Sequence, residues 1–251
     1  MFPLTHALVA QNLIKDAGSR AILGGVFPDL ANVVGINRDV THEMGEDFYR
    51  FCRIYHKDSL DFAQAVISHG ANPAGLDYYA DQSFEGQEPG YCFQRGASLV
   101  DQVVKTCGIP PQMGLWKAHN FIEMAYDVIA AELYPGLTEQ FQVALDDTAA
   151  LKGCSYILGR YFQLDGAKIE EAFQRMPGFF CLSKVTPYNL AKKYAGQLKK
   201  RHGVLTADPE AMSEVIQEAR AMVEGEFLSF MNDAQERIAH LLTQYPRGKK
   251  D

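Results

Sequence analysis

Apolar residues recur at three- and four-residue intervals along nearly every long segment of the chain, and strict two-residue alternation is hard to find. The first spacing places side chains on one face of an α-helix, whereas alternation is typical of a half-buried strand. The pattern therefore predicts an all-α fold without a sheet. We expect a single helical domain, because 251 residues are enough to bury one full core.

Glycine, proline and polar turn residues divide the predicted helices. The first helix is predicted to begin with Thr5 as its N-cap and to stop at Gly18, and residues 21–27 predict a tight, buried connection. The glycine- and proline-rich segment 70–91 predicts a long loop that forms a lid or a pocket wall. Further helices are predicted over residues 41–55, 59–68, 94–106, 111–133, 136–150, 153–162, 166–175, 186–201 and 208–244.

The last predicted helix, over residues 208–244, is long and amphipathic. An apolar stripe of that length is expected to pack across the bundle or against a second copy of the chain. The segment therefore predicts a candidate homodimer contact as well as a structural helix.

The net charge of -7 and the sequence pI near 5.5 argue against a broad basic surface on this protein. Extended nucleic acid is therefore not an expected partner, although a nucleotide-sized substrate is compatible with this charge. The basic cluster at residues 192–201 is interpreted as a solvated helix face, as is the tail 247–250.

The cysteines and the chain start favour a cytoplasmic protein. The five cysteines are scattered and show no CxxC spacing, which indicates neither a disulfide framework nor a thiolate zinc site. The first thirteen residues lack the pattern of a secretory signal, and no later run approaches about 20 apolar residues, the length of a membrane span.

Histidines and acids cluster in the first half of the chain, which holds five of the seven histidines. The sharpest local pattern is His119 with Glu123, because residues four apart on a helix project from one face and can chelate one ion. Asp127 lies one turn further along, where it orients His119 or lies outside the site. With no thiolate pattern, a site of His, Asp and Glu is what this sequence can build.

Three motifs of the N-terminal third make this clustering more specific. They are Leu4-Thr5-His6, the turn Leu23 to Leu30 that ends in Pro28-Asp29-Leu30, and Asp39-Val40-Thr41-His42. Their order resembles the zinc-dependent phospholipase C family and, more distantly, the single-strand-specific nucleases of the same fold. The resemblance covers about residues 3–130, and residues 131–251 complete the helical bundle without a recognised motif.

The resemblance implies a phospholipase C-type helical bundle with clustered zinc ions and attack on phosphorus by a metal-activated water. The implied ligands are His6, Asp29, His42, His69, His119 and Glu123. Two features depart from the family. The family's carboxylate four residues after the mid-chain histidine is replaced by Pro73, so Asp77 or Asp81 is expected to supply it from the loop. The family's processed N-terminal Trp is replaced by Met1, so we expect one or two Zn²⁺ ions.

The expected roles follow from this arrangement. Asp29 is the first candidate to orient or deprotonate the attacking water, and Glu123 is the second. Tyr78 and Tyr79, in the loop beside the site, and His56 are candidate substrate contacts. The expected substrate is a small-molecule or lipid phosphoester.

Two alternatives to this hydrolase stay open at the level of sequence. A phosphohydrolase of the HD-domain kind is also helical and metal-dependent, but the adjacent His-Asp pair that marks it does not occur. A helical binding or scaffold protein with a structural or degenerate metal site would not need turnover, and Pro73 favours this second alternative.

Overall fold

The computed structural model describes residues 3–179, 182 and 184–247. Nearly all of this part of the chain is helical, and its one extended pairing is an isolated bridge between Phe84 and Gln87. The prediction of an all-α fold is confirmed. Met1, Cys181 and the tail residues 248–250, all used in the sequence analysis, lie outside the described residues.

Most of the helices follow one another through short turns, and residues 70–90 form a longer connection. They are α1 (Pro3–Leu13), α2 (Ser19–Val26), α3 (Ala31–Val34), α4 (Arg38–Glu43), α5 (Gly45–Tyr55), α6 (Leu60–His69), α7 (Tyr91–Gly96), α8 (Val100–Cys107), α9 (Gly114–Leu133), α10 (Leu137–Asp146), α11 (Thr148–Phe162), α12 (Gly166–Phe179), α13 (Pro187–His202), α14 (Pro209–Val223) and α15 (Phe227–Leu242). Among the described helices, none has the length and apolar character that crossing a membrane requires.

Helix α2 occupies the segment predicted as a buried connection. It packs between α1 and α6, and Ala21 through Val26 are all buried. A short apolar run such as Ala21–Val26 cannot be assigned to a helix by periodicity alone. The two glycines permit the close packing: a Cβ on Gly24 would lie 2.6 Å from Ala65 Cβ, and one on Gly25 would lie 2.7 Å from Ala10 Cβ.

Replacing Gly24 by alanine is expected to lower the free energy of unfolding by about 1–3 kcal/mol, because the added methyl group overlaps α6. Gly153→Ala is the matched control. Gly153 lies inside α11, and no atom lies within 4 Å of the position that a Cβ would take there, so the alanine should raise stability by about 0.5–1 kcal/mol. Urea unfolding of both variants tests this, and equal midpoints would contradict the packing argument.

Several predicted boundaries are wrong, for local reasons. The helix predicted over 41–55 is two helices that meet at Met44, and α4 begins at Arg38 because the Asn37 side chain accepts a hydrogen bond from Asp39 N. Thr5 is not an N-cap, since α1 begins at Pro3. Gly153 does not break α11, and Pro177 lies inside α12 instead of ending it.

The helix predicted over 208–244 is also divided, into α14 and α15. Apolar residues of α14, among them Met212 and Ile216, are buried within the chain, and so are Phe227 and Ile238 of α15. These stripes therefore serve the internal core, and the homodimer contact stays a prediction.

Candidate metal centre

Asp77 lies at the centre of a cluster of buried imidazoles. Its Oδ2 is 3.0 Å from His42 Nε2 and 3.6 Å from His69 Nε2, and its Oδ1 is 3.2 Å from His6 Nε2. The histidines come from α1, α4 and the last residue of α6, whereas Asp77 lies in the loop that follows α6. With Asp29, these side chains form what we call the histidine group (His6, Asp29, His42, His69 and Asp77).

Backbone carbonyl groups hold two of the imidazoles in one orientation. His42 Nδ1 lies 2.8 Å from the carbonyl oxygen of Arg38, and His69 Nδ1 lies 2.6 Å from that of Gly25. Because a carbonyl oxygen only accepts hydrogen bonds, each Nδ1 must carry the proton and each Nε2 must point inward. The two Nε2 atoms are 3.2 Å apart, so their facing lone pairs require a proton or a metal ion between them.

His6 and Asp29 extend this cluster. The His6 ring is stacked on His69, with centroids 3.5 Å apart. His6 Nε2 faces Asp77, whereas His6 Nδ1 has no hydrogen-bond partner in the part of the chain that the structure describes. A buried polar atom without a partner is costly, and a ligated ion would supply one. Asp29 Oδ1 is 3.7 Å from His42 Nε2. One atom each of His6, Asp29 and His69 lie within 4.8 Å of one another.

Electrostatics divide the histidines into two kinds. Burial alone would lower the pKa of His42, but hydrogen bonds to Asp29 and Asp77 raise it to about 9. Burial lowers the pKa of His6 and that of His69. Burial would raise the pKa of Asp77, yet the neighbouring imidazoles of His69, His42 and His6 hold it well below its usual range. Around neutral pH the group therefore holds two ionised carboxylates, Asp29 and Asp77, a protonated His42 and two neutral imidazoles.

This charge state predicts how zinc binding depends on pH. The pKa of His42 is raised above its unfolded value of 6.5, so its ion pair stabilises the metal-free fold below that pH, and this contribution is lost as the pH rises through about 9. Zinc must displace the same proton, so zinc affinity of the histidine group should rise about tenfold per pH unit from pH 7 to 9 and then level off. Chelator competition on a His119→Ala variant measures it, and an unchanged affinity over this range would contradict the assignment.

The loop after α6 brings Asp77 to the histidines, although Pro73 and not an acid stands four residues after His69. Helix α6 ends at His69, and the amides of Ala71 and Asn72 both donate to the carbonyl oxygen of His42. This contact turns the loop back over α4, so that Asp77 reaches the His42 ring from the loop and not from the helix. The expected carboxylate is present in the group, at a position that helical spacing does not indicate.

A second ligand group lies on helix α9 and the same loop. It consists of Asp81, His119 and Glu123, each with a ligand atom within 4.8 Å of the other two. Asp81 belongs to the π-helical turn Tyr78–Gln82, and the His119 ring is stacked on Phe93 with centroids 4.2 Å apart. Of the two loop acids, Asp77 therefore lies in the histidine group and Asp81 lies in the second group.

Arg38 connects the two groups. Its Nη2 atom lies 3.1 Å from Asp77 Oδ2 and 3.7 Å from Asp81 Oδ2. The single guanidinium thus contacts one carboxylate of each group, which shows that the groups are neighbours. Burial and the nearby carboxylate of Asp77 raise the pKa of Asp81 well above its usual range. Asp81 of the second group can therefore keep its proton at a pH at which Asp77 of the histidine group is ionised.

Asp127 contacts α1 and lies outside both groups, which is one of the two positions that its spacing allowed. Its Oδ1 accepts hydrogen bonds from the amide of Thr5 at 2.9 Å and from the Thr5 hydroxyl at 2.6 Å. Amides at the start of a helix such as α1 have no carbonyl partner within the helix. Asp127 therefore fixes α1 to α9 and thereby positions His6.

One cavity of about 710 Å³ opens above both groups. Asp29 of the histidine group and all three members of the second group line it. Other lining residues, which the sequence analysis did not select for the site, are Arg38, Phe93, Trp116, Lys117, Asn120, Tyr194, Gln197, Leu198, Arg201 and His202. Arg201 belongs to the run interpreted as a solvated face, and only the pairing of α13 with α9 reveals its position.

The candidate substrate contacts do not line this cavity. Tyr78 and Tyr79 pack on each other, and Tyr79 faces Arg237 of α15. His56 packs against Phe51 and Tyr156 at the end of α5. The three residues selected from the sequence are thus placed away from the cavity that the two ligand groups share.

Comparison with known proteins adds no relative. No family model, curated protein or solved structure matches this chain. The side chains themselves indicate the chemistry of the site: buried histidines and carboxylates are arranged so that they could hold a metal ion.

Proposed function

We propose that this protein is a zinc-dependent phosphoester hydrolase. The observation that carries the proposal is the presence of two imidazole-carboxylate groups beside one cavity of about 710 Å³. The resemblance to phospholipase C supports the same class of reaction, because every ligand that it implies belongs to one or the other of these groups. Asp77 supplies the carboxylate whose replacement by Pro73 favoured a binding protein without turnover.

The donor set fits zinc. Neutral imidazole nitrogens and carboxylate oxygens are zinc ligands, and each group offers both kinds. The carbonyl groups that fix His42 and His69 are the outer contacts that metal-binding histidines usually have. His6, whose buried Nδ1 lacks a hydrogen-bond partner among the described residues, is suited to bind the same ion. We propose one zinc ion for each group.

The chain's own residues suggest how hydrolysis would proceed. Bound zinc would lower the pKa of a water molecule and neutralise charge on the phosphoryl oxygens. Asp29 is placed to orient that water and accept its proton, because its side chain is 24% exposed and lines the cavity. Glu123 also lines the cavity, which makes it the second candidate to orient the water.

Metal content and turnover test this proposal together. The purified protein would be stripped with a chelator, reloaded with zinc, and assayed on p-nitrophenyl phosphate and bis(p-nitrophenyl) phosphate. We expect about two zinc ions per chain by elemental analysis, and hydrolysis that is lost on chelation and restored by zinc. Stoichiometric zinc without hydrolysis of either ester would leave only a binding role. A protein that takes up no zinc would contradict both roles.

A further inference from the structure

A basic group lies at one side of the cavity, outside both ligand groups. It consists of Lys117 in the first turn of α9, and Arg201 and His202 at the end of α13, and we call it the basic rim. Lys117 Nζ lies 3.0 Å from His202 Nε2 and 3.4 Å from the centre of the Trp116 ring. A lysine ammonium only donates hydrogen bonds, so His202 accepts and is neutral in this contact.

The basic rim is not balanced by acid. Within the described chain, no carboxylate lies within 4.0 Å of the Lys117 ammonium or the Arg201 guanidinium. Lys117 is also only 6% exposed, so water does not solvate it as it does an ordinary surface lysine. Its location in the first turn of α9 is unfavourable for a cation, because the helix dipole is positive there.

Fold stability does not account for this arrangement. Placing two cations near each other costs electrostatic energy, and burying one of them adds a desolvation cost. The Trp116 ring offsets part of that cost by a cation-π contact and holds the ammonium in place. Trp116 is itself 48% exposed at the cavity, so this pair is available to a ligand.

The geometry points to a substrate with two separated anionic groups: the phosphoryl group at the metal centre, and a carboxylate or second phosphate bound by Lys117 and Arg201. This inference rests on the proposed function. Lys117 and Glu123 are six residues apart on α9, which corresponds to about 9 Å along the helix and suits a small molecule that spans both. The same positive charge disfavours substrates with a cationic group, such as a choline phosphoester.

Four small phosphomonoesters test the inference by binding alone. They are phosphocholine, glycerol 3-phosphate, 3-phosphoglycerate and glycerol 1,3-bisphosphate, which differ in the charge of the second group. Calorimetric titration would use both zinc-loaded and chelator-treated protein. We expect 3-phosphoglycerate, the bisphosphate or both to bind at least about tenfold more tightly than phosphocholine, because hydrogen bonds between charged groups are strong. The better of the two identifies the anionic group.

Matched variants assign the preference to the basic rim. The preference is the affinity for the better of 3-phosphoglycerate and the bisphosphate divided by the affinity for phosphocholine. Lys117→Met and Arg201→Met should each reduce this ratio to about the value measured for glycerol 3-phosphate over phosphocholine. Lys117→Arg should retain the full ratio. Lys199→Met is the control, because it removes the same positive charge from an exposed position on α13, and it should leave the ratio unchanged. Arg201 is exposed, so its variant should fold even if a Lys117 variant does not.

The outcomes separate this inference from the proposed function. If phosphocholine binds as tightly as both probes that carry a second anionic group, in both forms of the protein, or if the preference survives Lys117→Met and Arg201→Met, the inference is wrong. A protein that takes up no zinc would contradict the proposed function, yet the ratio measured on the metal-free form would still decide whether the basic rim binds anions.

Discussion

Replacing Asp77 by asparagine is expected to remove zinc from the histidine group and to lower zinc-dependent hydrolysis by about 10³-fold. Asp77 contacts three imidazoles, and its negative charge is close to that of Asp29 in the same group. An amide of the same size keeps the shape of the side chain but loses the charge that a divalent cation needs. Elemental analysis should show about one zinc ion per chain where the parent has about two.

The control for this change is Asp101→Asn, which removes the same charge from an exposed position on α8. It should bind as much zinc as the parent and hydrolyse esters at the parent rate. Circular dichroism would show that the Asp77 variant retains its helices. A folded Asp77→Asn protein with full zinc content and full activity would remove the histidine group from the proposed site.

The position of Asp77 could be predicted from the sequence only in part. The order of the motifs around His6, Asp29 and His42 indicates candidate ligands, because helix starts and a proline turn are local features. The carboxylate is different. It arrives from a loop whose course depends on hydrogen bonds to the carbonyl oxygen of His42, and no periodic pattern encodes such a contact. Sequence could therefore propose Asp77 or Asp81, but only the fold shows that each belongs to a separate group.

The same distinction applies to the helices. Exposed amphipathic helices such as α13 are predicted well, because one polar face makes their period visible. Helix α2 was missed because it is buried between α1 and α6 and reads as an uninterrupted apolar stretch. Packing against neighbours, and not local sequence, determines where such a segment is helical.

The cavity wall was the least predictable part of the site. Arg201 follows lysines on α13 whose sequence is typical of a solvated face, and Lys117 belongs to no basic cluster of the sequence. Their joint position depends on how α13 packs on α9, a tertiary contact between segments about 80 residues apart. Charge patterns along a chain indicate exposure, but they do not indicate which exposed residues share a cavity.

The second group offers an independent test of the two-ion proposal. Glu123→Gln is expected to lower the zinc content from about two ions per chain to about one and to reduce hydrolysis by about 10²–10³-fold. Glu123 is buried and shares its group with His119 and Asp81, so loss of its charge should affect that group and leave the contacts of Asp77 intact. Glu139→Gln, at an exposed position on α10, is the matched control.

The pair of variants distinguishes one shared ion from two separate ions. If Asp77→Asn and Glu123→Gln each retain about one ion, and the double variant retains none, the groups bind independently. If either single change removes all the zinc, the two groups form one cooperative site, in which Arg38 contacts both carboxylates at 3.1 and 3.7 Å. The first result is the one we expect, because His42, His69 and Asp77 already form a complete set of three donors without any residue of α9.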